Sequence, residues 1–234
     1  AFIRASEWYD QWGFDYRYYR PVLRQARDPG IRLVALNVPL AVARQVGRKG
    51  LASLPPAKRR ALPPLWMDAP RHRAVFRALL GLPPKPRARP RPGARPHPHH
   101  GMLRRIFTAQ VLRDEVMAAN IERHLTAAGP SARMVVLVGN GHLAYDTGIN
   151  ARLARRQPGW AQRTLMPVSA PLAGRPVSRG LARWLVGTAA HDWRQRYPTL
   201  GLRLAPVTGG GLRIRGYGFG PSLARRAGLQ RGEV

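Results

Sequence analysis

The stretch from residue 103 to residue 142 constrains the fold of this chain more than any other. Residues 103–128 carry apolar side chains at helical spacing, and the apolar run at 133–138 predicts a short buried strand. A glycine-rich turn follows that strand at once, with the sequence Gly139-Asn140-Gly141-His142. A helix that leads into a strand with a tight turn at its end predicts one unit of an α/β fold.

The remainder of the chain continues this alternation of helix and short apolar strand. Strands are expected at 31–36 and, more weakly, at 163–168, and helices are expected at 21–28, 39–48 and 178–196. The alternation predicts an α/β fold with a mainly parallel sheet flanked by helices. In such sheets, ligands bind where the strands end.

The charge of the chain is strongly basic and restricts its partners. Lys+Arg number 40 against 11 Asp+Glu, which gives a net charge of +29. These residues are spread along the chain, and the one dense block falls in a Pro/Arg/His-rich stretch at 83–101, for which a solvated loop is expected. We therefore expect no dedicated nucleic-acid partner. The absence of cysteine excludes disulfides and thiolate ligands within these residues.

His142 is the first candidate for chemistry. The two glycines before it allow a sharp turn and a close backbone approach to a ligand, so the imidazole is expected to face the crevice at the strand end. There it could bind a metal, move a proton or bond an anion. The alternative is a histidine satisfied by a backbone carbonyl. The turn lacks the third glycine of a dinucleotide-binding fingerprint.

The second candidate is an acidic group on the long helix. Asp114 falls within an apolar stripe at helical spacing, with Gln110 one turn earlier and Glu115 beside it. A carboxylate on a buried face is costly unless a cation, a hydrogen-bond network or a metal pairs with it. We expect Asp114 to meet His142 in one cleft, and the alternative is a structural Asp–Arg pair.

Three further residues are expected near this cleft. Asn37 follows the first strand, where it could bind a ligand or simply cap a helix. Asn140 belongs to the glycine-rich turn, and Tyr145 lies three residues after His142. A tyrosinate can hold haem iron, although a tyrosine that closes the rim of a pocket is the simpler interpretation.

Several segments taken together resemble one family. They are residues 8–16 (WYDQWGFDY), 19–23 (YRPVL), 34–39 (VALNVP), 109–118 (AQVLRDEVMA) and 139–142 (GNGH). In this order they resemble the ChaN family of haem-binding, iron-regulated bacterial lipoproteins, which is related to the Tiki and TraB proteins. The family begins with a strand and a Gly-Glu-x-His-like motif that this sequence does not contain, so we expect a fragment that starts after that motif.

The resemblance implies an α/β domain with a smaller helical subdomain, haem as cofactor, and a possible homodimer that stacks two haems. It also implies a lipoprotein of the bacterial cell envelope, periplasmic or in the outer membrane, that takes part in iron or haem uptake. Tyr145 and His142 are the expected iron contacts. The other expected ligand-binding residues are Asn37, Asn140, Gln110, Asp114 and Glu115. No catalytic residue is assigned, and a binding protein is favoured over an enzyme.

The C-terminal part has a different composition. Residues 198–234 are glycine-rich, with strand-like pieces at 200–204 and 212–215, and their Ala-Gly-Leu-x-x-Gly-Glu-Val ending resembles a partial PDZ domain. PDZ domains bind peptide ends by strand addition. We therefore expect a ChaN-like domain over 1–197 and a partial PDZ domain over 198–234.

Two other functions remain open at the level of sequence. The first is a metal-dependent hydrolase, as the wider Tiki/TraB group implies, in which His142 with Asp114 or Glu115 would hold a divalent ion or activate water. The second is arginine-driven nucleic-acid binding, which would be lost on deletion of the basic block. The chain has no Gly-x-Ser-x-Gly elbow, no Walker loop and no His-Glu-x-x-His motif.

Overall fold

A computed structural model gives the fold. It describes residues 2–12, 14–82, 98–169, 179–188, 202–208, 210–217, 227–230 and 232. The chain divides into two compact units, Ala1–Gly187 and Thr188–Val234. The first unit contains all the described helices and the candidate site.

The described helices are short except for one. They are α1 Phe2–Ala5, α2 Trp8–Gln11, α3 Tyr16–Arg27, α4 Leu40–Lys49, α5 Pro56–Arg60, α6 Pro70–Leu79, α7 Pro98–Ala128 and α8 Ile149–Arg156. Short 3₁₀ turns lie at Leu51–Ser53, Asn140–His142 and Ala144–Asp146. No helix among the described residues is both long and apolar enough to cross a bilayer.

Helix α7 is the centre of the first unit, and it buries two apolar faces. One face packs on α4 around Val46, Ala109 and Leu112. The other packs on α8 around Ile121 and Leu153. The apolar stripe at helical spacing explains this double burial, because a helix enclosed on several sides must carry apolar residues on each covered face. Helix α7 begins at Pro98, so residues 98–101 are helical and correct the loop expected over 83–101. Residues 83–97 lie outside the described residues.

The strands of the described residues form two small sheets. The strands β1 (Leu165–Ser169) and β2 (Trp184–Thr188) form a two-stranded parallel sheet. The strands β3 (Leu202–Pro206) and β4 (Leu212–Tyr217) pair antiparallel, with an irregularity in register between Arg203 and Leu204. The weak strand expected at 163–168 matches β1. The helix expected at 178–196 is wrong where the chain is described, because β2 occupies part of it.

The two strongest strand predictions, 31–36 and 133–138, are not paired in a sheet. Within the described part of the chain, residues 32–38 and 133–138 make no backbone–backbone hydrogen bonds. In 133–138, alternate side chains are half-buried against the α7–α8 core, while the others, such as Val135, are exposed. This is the burial pattern of an extended segment that is covered on one face. The described fold is therefore mostly helical with a small parallel sheet, which is compatible with α/β.

The aromatic residues near the start pack on one another. Trp8 meets Tyr16 and Tyr19 edge to face, with ring centroids 5.4 and 5.3 Å apart, and its Nε1 donates to the Phe14 carbonyl at 2.7 Å. Trp12 contacts Tyr19 in the same way at 5.5 Å. Such pairs stabilise a local cluster, as expected for packing aromatics.

Candidate functional site

The site is built around His142, which the glycine-rich turn places at the end of segment 133–138. The backbone N–H of His142 donates to the Gly139 carbonyl at 2.9 Å, which closes the 3₁₀ turn. The imidazole is buried against α7. The turn therefore points the His142 side chain inward onto the long helix.

Gly148 makes this placement possible. A Cβ at position 148 would lie 2.0 Å from the His142 carbonyl oxygen and 2.6 Å from its carbonyl carbon. Both are backbone atoms, so no side-chain movement could relieve the collision. The residue that precedes α8 must therefore be a glycine for His142 to hold its position.

Asp114 is the partner of the His142 imidazole. It is 0% exposed on helix α7, and its Oδ1 accepts a hydrogen bond from His142 Nδ1. Gln110 Nε2 lies 2.9 Å from the same Nδ1 and 3.2 Å from the Gly141 carbonyl oxygen. Since a carboxylate only accepts, the Nδ1 proton is best placed toward Asp114, and the Gln110 amide donates to Gly141. His142 Nε2 then carries a lone pair with no hydrogen-bond partner among the described residues.

Arg152 and His72 complete the environment of Asp114, and all three are almost fully buried. His72 Nε2 lies 3.4 Å and Arg152 Nη1 lies 3.9 Å from Asp114 Oδ2. Burial lowers the pKa of His72 to about 4; Asp114 opposes this shift, while Arg152 and His142 add to it. Burial also lowers the pKa of Arg152, against the pull of Asp114 and Glu115. Asp114 is thus a buried carboxylate with an imidazole against each oxygen.

Glu115 extends the network on the neighbouring side of α7. Its carboxylate lies 3.3 Å from Arg152 Nε and 3.2 Å from Arg156 Nη2, and it accepts from the Trp66 backbone N–H at 3.0 Å. Arg156 also reaches Glu122 at 3.2 Å. These contacts pair the buried charge of Glu115, which is the condition for keeping it inside.

A cavity of about 560 Å³ lies on this side of the network. Trp66, Glu115, Arg152, Arg155 and Arg156 are among its lining residues. The Arg155 guanidinium stacks over the Trp66 ring, with Cζ 4.0 Å from the ring centroid. Of the charged residues that face the cavity, Glu115 forms ion pairs with Arg152 and Arg156.

Comparison with known protein families identifies the group. Residues 1–153 match the family model described as haem-binding uptake, Tiki superfamily, ChaN. The chain belongs to this family. The match covers the glycine-rich turn, Asp114 and Arg152. A search of curated proteins and a search of solved structures gave no match.

Within this ChaN-family domain, the structure brings together three of the residues singled out by sequence, namely His142, Asp114 and Gln110. Glu115 joins them through Arg152. No hydrogen bond among the described residues links the side chains of Asn37, Asn140 or Tyr145 to His142 or Asp114. Asn37 and Tyr145 are half-buried, and Asn140 is exposed. The Tyr145 backbone N–H donates to the Leu181 carbonyl oxygen at 2.9 Å.

Sequence reasoning missed His72, Arg152 and Gly148. A signal for His72 was present, since it shares one face of α6 with Val75, Phe76 and Leu79 at helical spacing. Arg152 likewise lies between Ile149 and Leu153 on the buried face of α8. Both share with Asp114 the feature of a polar residue on an apolar helix face. Gly148 carried no comparable signal, because its need for space depends on a contact with another segment.

The described residues hold no group of three or more His, Cys, Asp or Glu side chains suited to a metal ion. What the arrangement offers instead is one imidazole nitrogen with a fixed tautomer. An imidazole whose Nδ1–H is held by a carboxylate is fixed in orientation, and its Nε2 can bind a metal or accept a proton.

Proposed function

We propose that this protein binds haem, with His142 Nε2 as the protein ligand to the iron. The observation that carries the proposal is the hydrogen bond from His142 Nδ1 to the buried Asp114 carboxylate. Because the Nδ1 side of the ring is occupied, the lone pair lies on Nε2, which has no hydrogen-bond partner among the described residues. Histidine is a common haem ligand, and ligating histidines usually donate their other ring N–H to a carboxylate or carbonyl. Haem, when bound, supplies a redox-active iron.

The surroundings of the turn suit a porphyrin as well as an iron. Leu79 and Leu80 at the end of α6 are large apolar side chains left exposed. A Cβ at Gly141 would lie 3.7 Å from Leu79 Cδ1, so this leucine lies beside the turn that carries His142. Apolar side chains next to a ligating nitrogen provide the contact that the flat face of a porphyrin requires.

Tyr145 is the second candidate ligand. It stands three residues from His142 and adopts a left-handed backbone conformation with φ 56°. Strain of this kind is uncommon for a non-glycine residue and often accompanies function. Tyr145 would bind iron through its phenolate in place of His142 or opposite it.

Titration with haemin tests both ligands. The chain is expected to give a saturable Soret band, and His142→Ala is expected to lose or strongly weaken it. His124→Ala serves as a matched control, because it removes a histidine from α7 outside the network. Tyr145→Phe changes the spectrum only if the phenolate is a ligand. Absence of saturable binding by the unmutated chain would refute the proposal.

The family description, haem-binding uptake, supports a proposal for the setting. The protein acts in haem or iron uptake as a lipoprotein of the bacterial cell envelope, and a pair of protomers could share the haems. Fractionation of cells that express the full gene tests the location. Sedimentation with and without haemin tests the dimer, which should appear only with haem if haem bridges the protomers.

The C-terminal unit has its own proposed role. Residues 198–234 belong to a PDZ domain that binds the carboxyl end of a peptide by strand addition. The β3–β4 hairpin, with the Gly232 backbone N–H donating to the Ile214 carbonyl at 2.9 Å, supports this proposal. Comparing a free-carboxylate peptide with its amidated form, on the full gene product, tests it: only the free acid should bind.

A metal-dependent hydrolase is the alternative, and the same pair of residues favours it. An imidazole oriented by a buried carboxylate is also the arrangement of a general base. His142, with Asp114 or Glu115, would then hold a divalent ion or activate water. Hydrolysis of a model ester or peptide that a chelator abolishes and added metal restores would favour this function over haem binding.

A further inference from the structure

The cavity of about 560 Å³ beside Glu115 is separate from the proposed iron ligand, because His142 is not among the described residues that line it. Segment 64–68 forms one wall, and residues of α8 form another. The Trp66 backbone N–H donates to Glu115 Oε1 at 3.0 Å, which ties segment 64–68 to helix α7. The volume lies within the range of small-molecule pockets, so the cavity can hold a ligand larger than a simple ion.

Arg155 is a cation in the wall of this cavity without a counter-ion. Its guanidinium stacks on the Trp66 ring, with Cζ 4.0 Å from the ring centroid, and no carboxylate among the described residues forms an ion pair with it. A stacked guanidinium contacts the ring through its flat face, so the N–H donors along its edge stay available. The stack also restricts the side chain, which reduces the entropy lost on binding. Arg155 is therefore a preorganised donor for an anion.

The two other arginines that line the cavity are paired within the protein. Arg152 Nε lies 3.3 Å and Arg156 Nη2 lies 3.2 Å from the Glu115 carboxylate. Arg156 Nη1 also lies 3.2 Å from Glu122. Because both arginines already have a carboxylate beside them, Arg155 is the guanidinium best placed to bind a charged ligand.

Segment 64–68 supplies an apolar wall, which consists of the half-buried side chains Leu65, Trp66 and Met67. Small-molecule pockets combine such apolar side chains with a few polar groups that fix the orientation of the ligand. Asp68 also lines the cavity, is exposed, and has no ion pair among the described residues. Its charge opposes an anion, so it provides a test of the sign of the ligand.

We propose that this cavity binds a small organic anion, with a carboxylate or phosphate group on the Arg155 guanidinium and an apolar body against the apolar wall. The planar guanidinium suits both head groups, because it can donate two parallel N–H bonds to either. The net charge of +29 also raises the concentration of anions around the chain. The proposal does not involve haem or His142, so it is tested in the haem-free chain and can fail separately from the proposed function.

Binding is measured with naphthoate, naphthyl phosphate, the neutral alcohol naphthalenemethanol and inorganic phosphate. Nitrogen NMR of the tryptophan-labelled chain follows the Trp66 indole, whose signal is assigned from its loss in Trp66→Phe. At least one naphthyl anion should shift this signal saturably, and the tighter of the two identifies the head group. The alcohol lacks the charge and inorganic phosphate lacks the apolar body, so each should bind at least about 10-fold more weakly. Equal binding of either one, or no saturable shift with any anion, would overturn the proposal.

Substitution of Arg155 tests the residue that carries the proposal. Arg155→Gln should weaken binding of the tighter naphthyl anion by about 10- to 100-fold, the usual effect of losing hydrogen bonds to a charged group. Arg155→Lys keeps the charge but not the planar fork, so it should recover only part of this loss, and full recovery would overturn the role of the fork. Arg123→Gln is the matched control for general attraction, because Arg123 is exposed on α7 and does not line the cavity. Equal affinities in Arg155→Gln and Arg123→Gln would refute the assignment.

Asp68→Asn tests the sign of the ligand. It removes the opposing charge and should tighten binding of the naphthyl anion, whereas weaker binding would show that the cavity selects a cationic group and would overturn the proposal. Arg155 and Asp68 are both exposed, so the variants should fold, which urea unfolding checks. If Arg155→Gln does not fold, Arg155→Lys decides, because affinity equal to that of the unmutated chain would count against the stacked guanidinium.

Discussion

The buried polar network around Asp114 and the unpaired segment 133–138 both involve helices α7 and α8, but they are held in place differently. The network joins Asp114, His72, His142 and Arg152, which are nearly inaccessible and contact one another. Segment 133–138 has half its side chains on the α7–α8 core and no backbone–backbone hydrogen bond among the described residues.

The difference shows which features a helical framework can support alone. A helix satisfies its own backbone, so Asp114 is positioned by the register of α7 without help from a sheet. A strand satisfies its backbone only through a neighbour. The site geometry can therefore be well defined next to a segment whose outer face, including Val135 at 89% exposure, is left open.

Removal of the Asp114 carboxylate should lower the free energy of unfolding more than any other change to the buried network. Asp114→Ala removes the carboxylate that accepts from His142, the charge that His72 faces, and one of the two carboxylates beside the buried Arg152. Breaking a buried charged pair in this way costs about 3–5 kcal/mol. Urea unfolding should show this loss. Asp114→Asn keeps the shape and should cost less, so equal losses for both variants would contradict a charge-based explanation.

Acidic pH should have the second largest effect on the stability of the network. The pKa of His72 is about 4 in the folded protein and near the ordinary value of 6.5 in the unfolded chain. Between these pH values only the unfolded chain binds the extra proton, so the free energy of unfolding falls as the pH drops from 6.5 to 4. The loss from this group approaches about 3 kcal/mol at 1.36 kcal/mol per unit, and the group adds no pH dependence above 6.5.

Urea unfolding in steps of pH measures that slope. His72→Gln removes the titrating ring and should show a shallower fall over the same range. Identical slopes in the two proteins would show that His72 is not held neutral by its surroundings.

Gly148→Ala tests the backbone contact that seats His142. The added Cβ would meet the His142 carbonyl oxygen at 2.0 Å, so one of the two segments must move. Overpacking of this kind costs about 1–3 kcal/mol, and it should also weaken haemin binding. Gly159→Ala is the matched control, since a Cβ there meets nothing within 4 Å. Equal stability of the two variants would mean that the turn adapts freely.

Sequence was sufficient for helix α7 and for the buried acid that it carries. The stripe around Asp114 predicted α7 and its buried acid, because helical periodicity depends only on the chain itself. The glycine-rich turn singled out His142 for a similar local reason. Residues brought in from other segments, His72 and Arg152, needed the packing of α6 and α8 to be known.

The sheet could not be predicted in the same way. An apolar run such as 133–138 indicates burial on at least one face, but pairing depends on a second segment whose register a single sequence does not specify. The helix expected at 178–196 failed for a related reason. Trp184–Thr188 is an exposed strand paired with Leu165–Ser169, and tertiary pairing overrode its local preference.

The two faces of segment 133–138 give the smallest and most selective test. Val136 is half-buried against the α7–α8 core, and Val135 is open to solvent. Val→Thr adds a hydroxyl at nearly constant volume, so it should cost about 1 kcal/mol or more at 136, where the hydroxyl loses water, and less than about 0.5 kcal/mol at 135. Urea unfolding of the two variants measures the difference. A larger loss at 135 than at 136 would show that the outer face is covered in solution, because only a covered face penalises a buried hydroxyl.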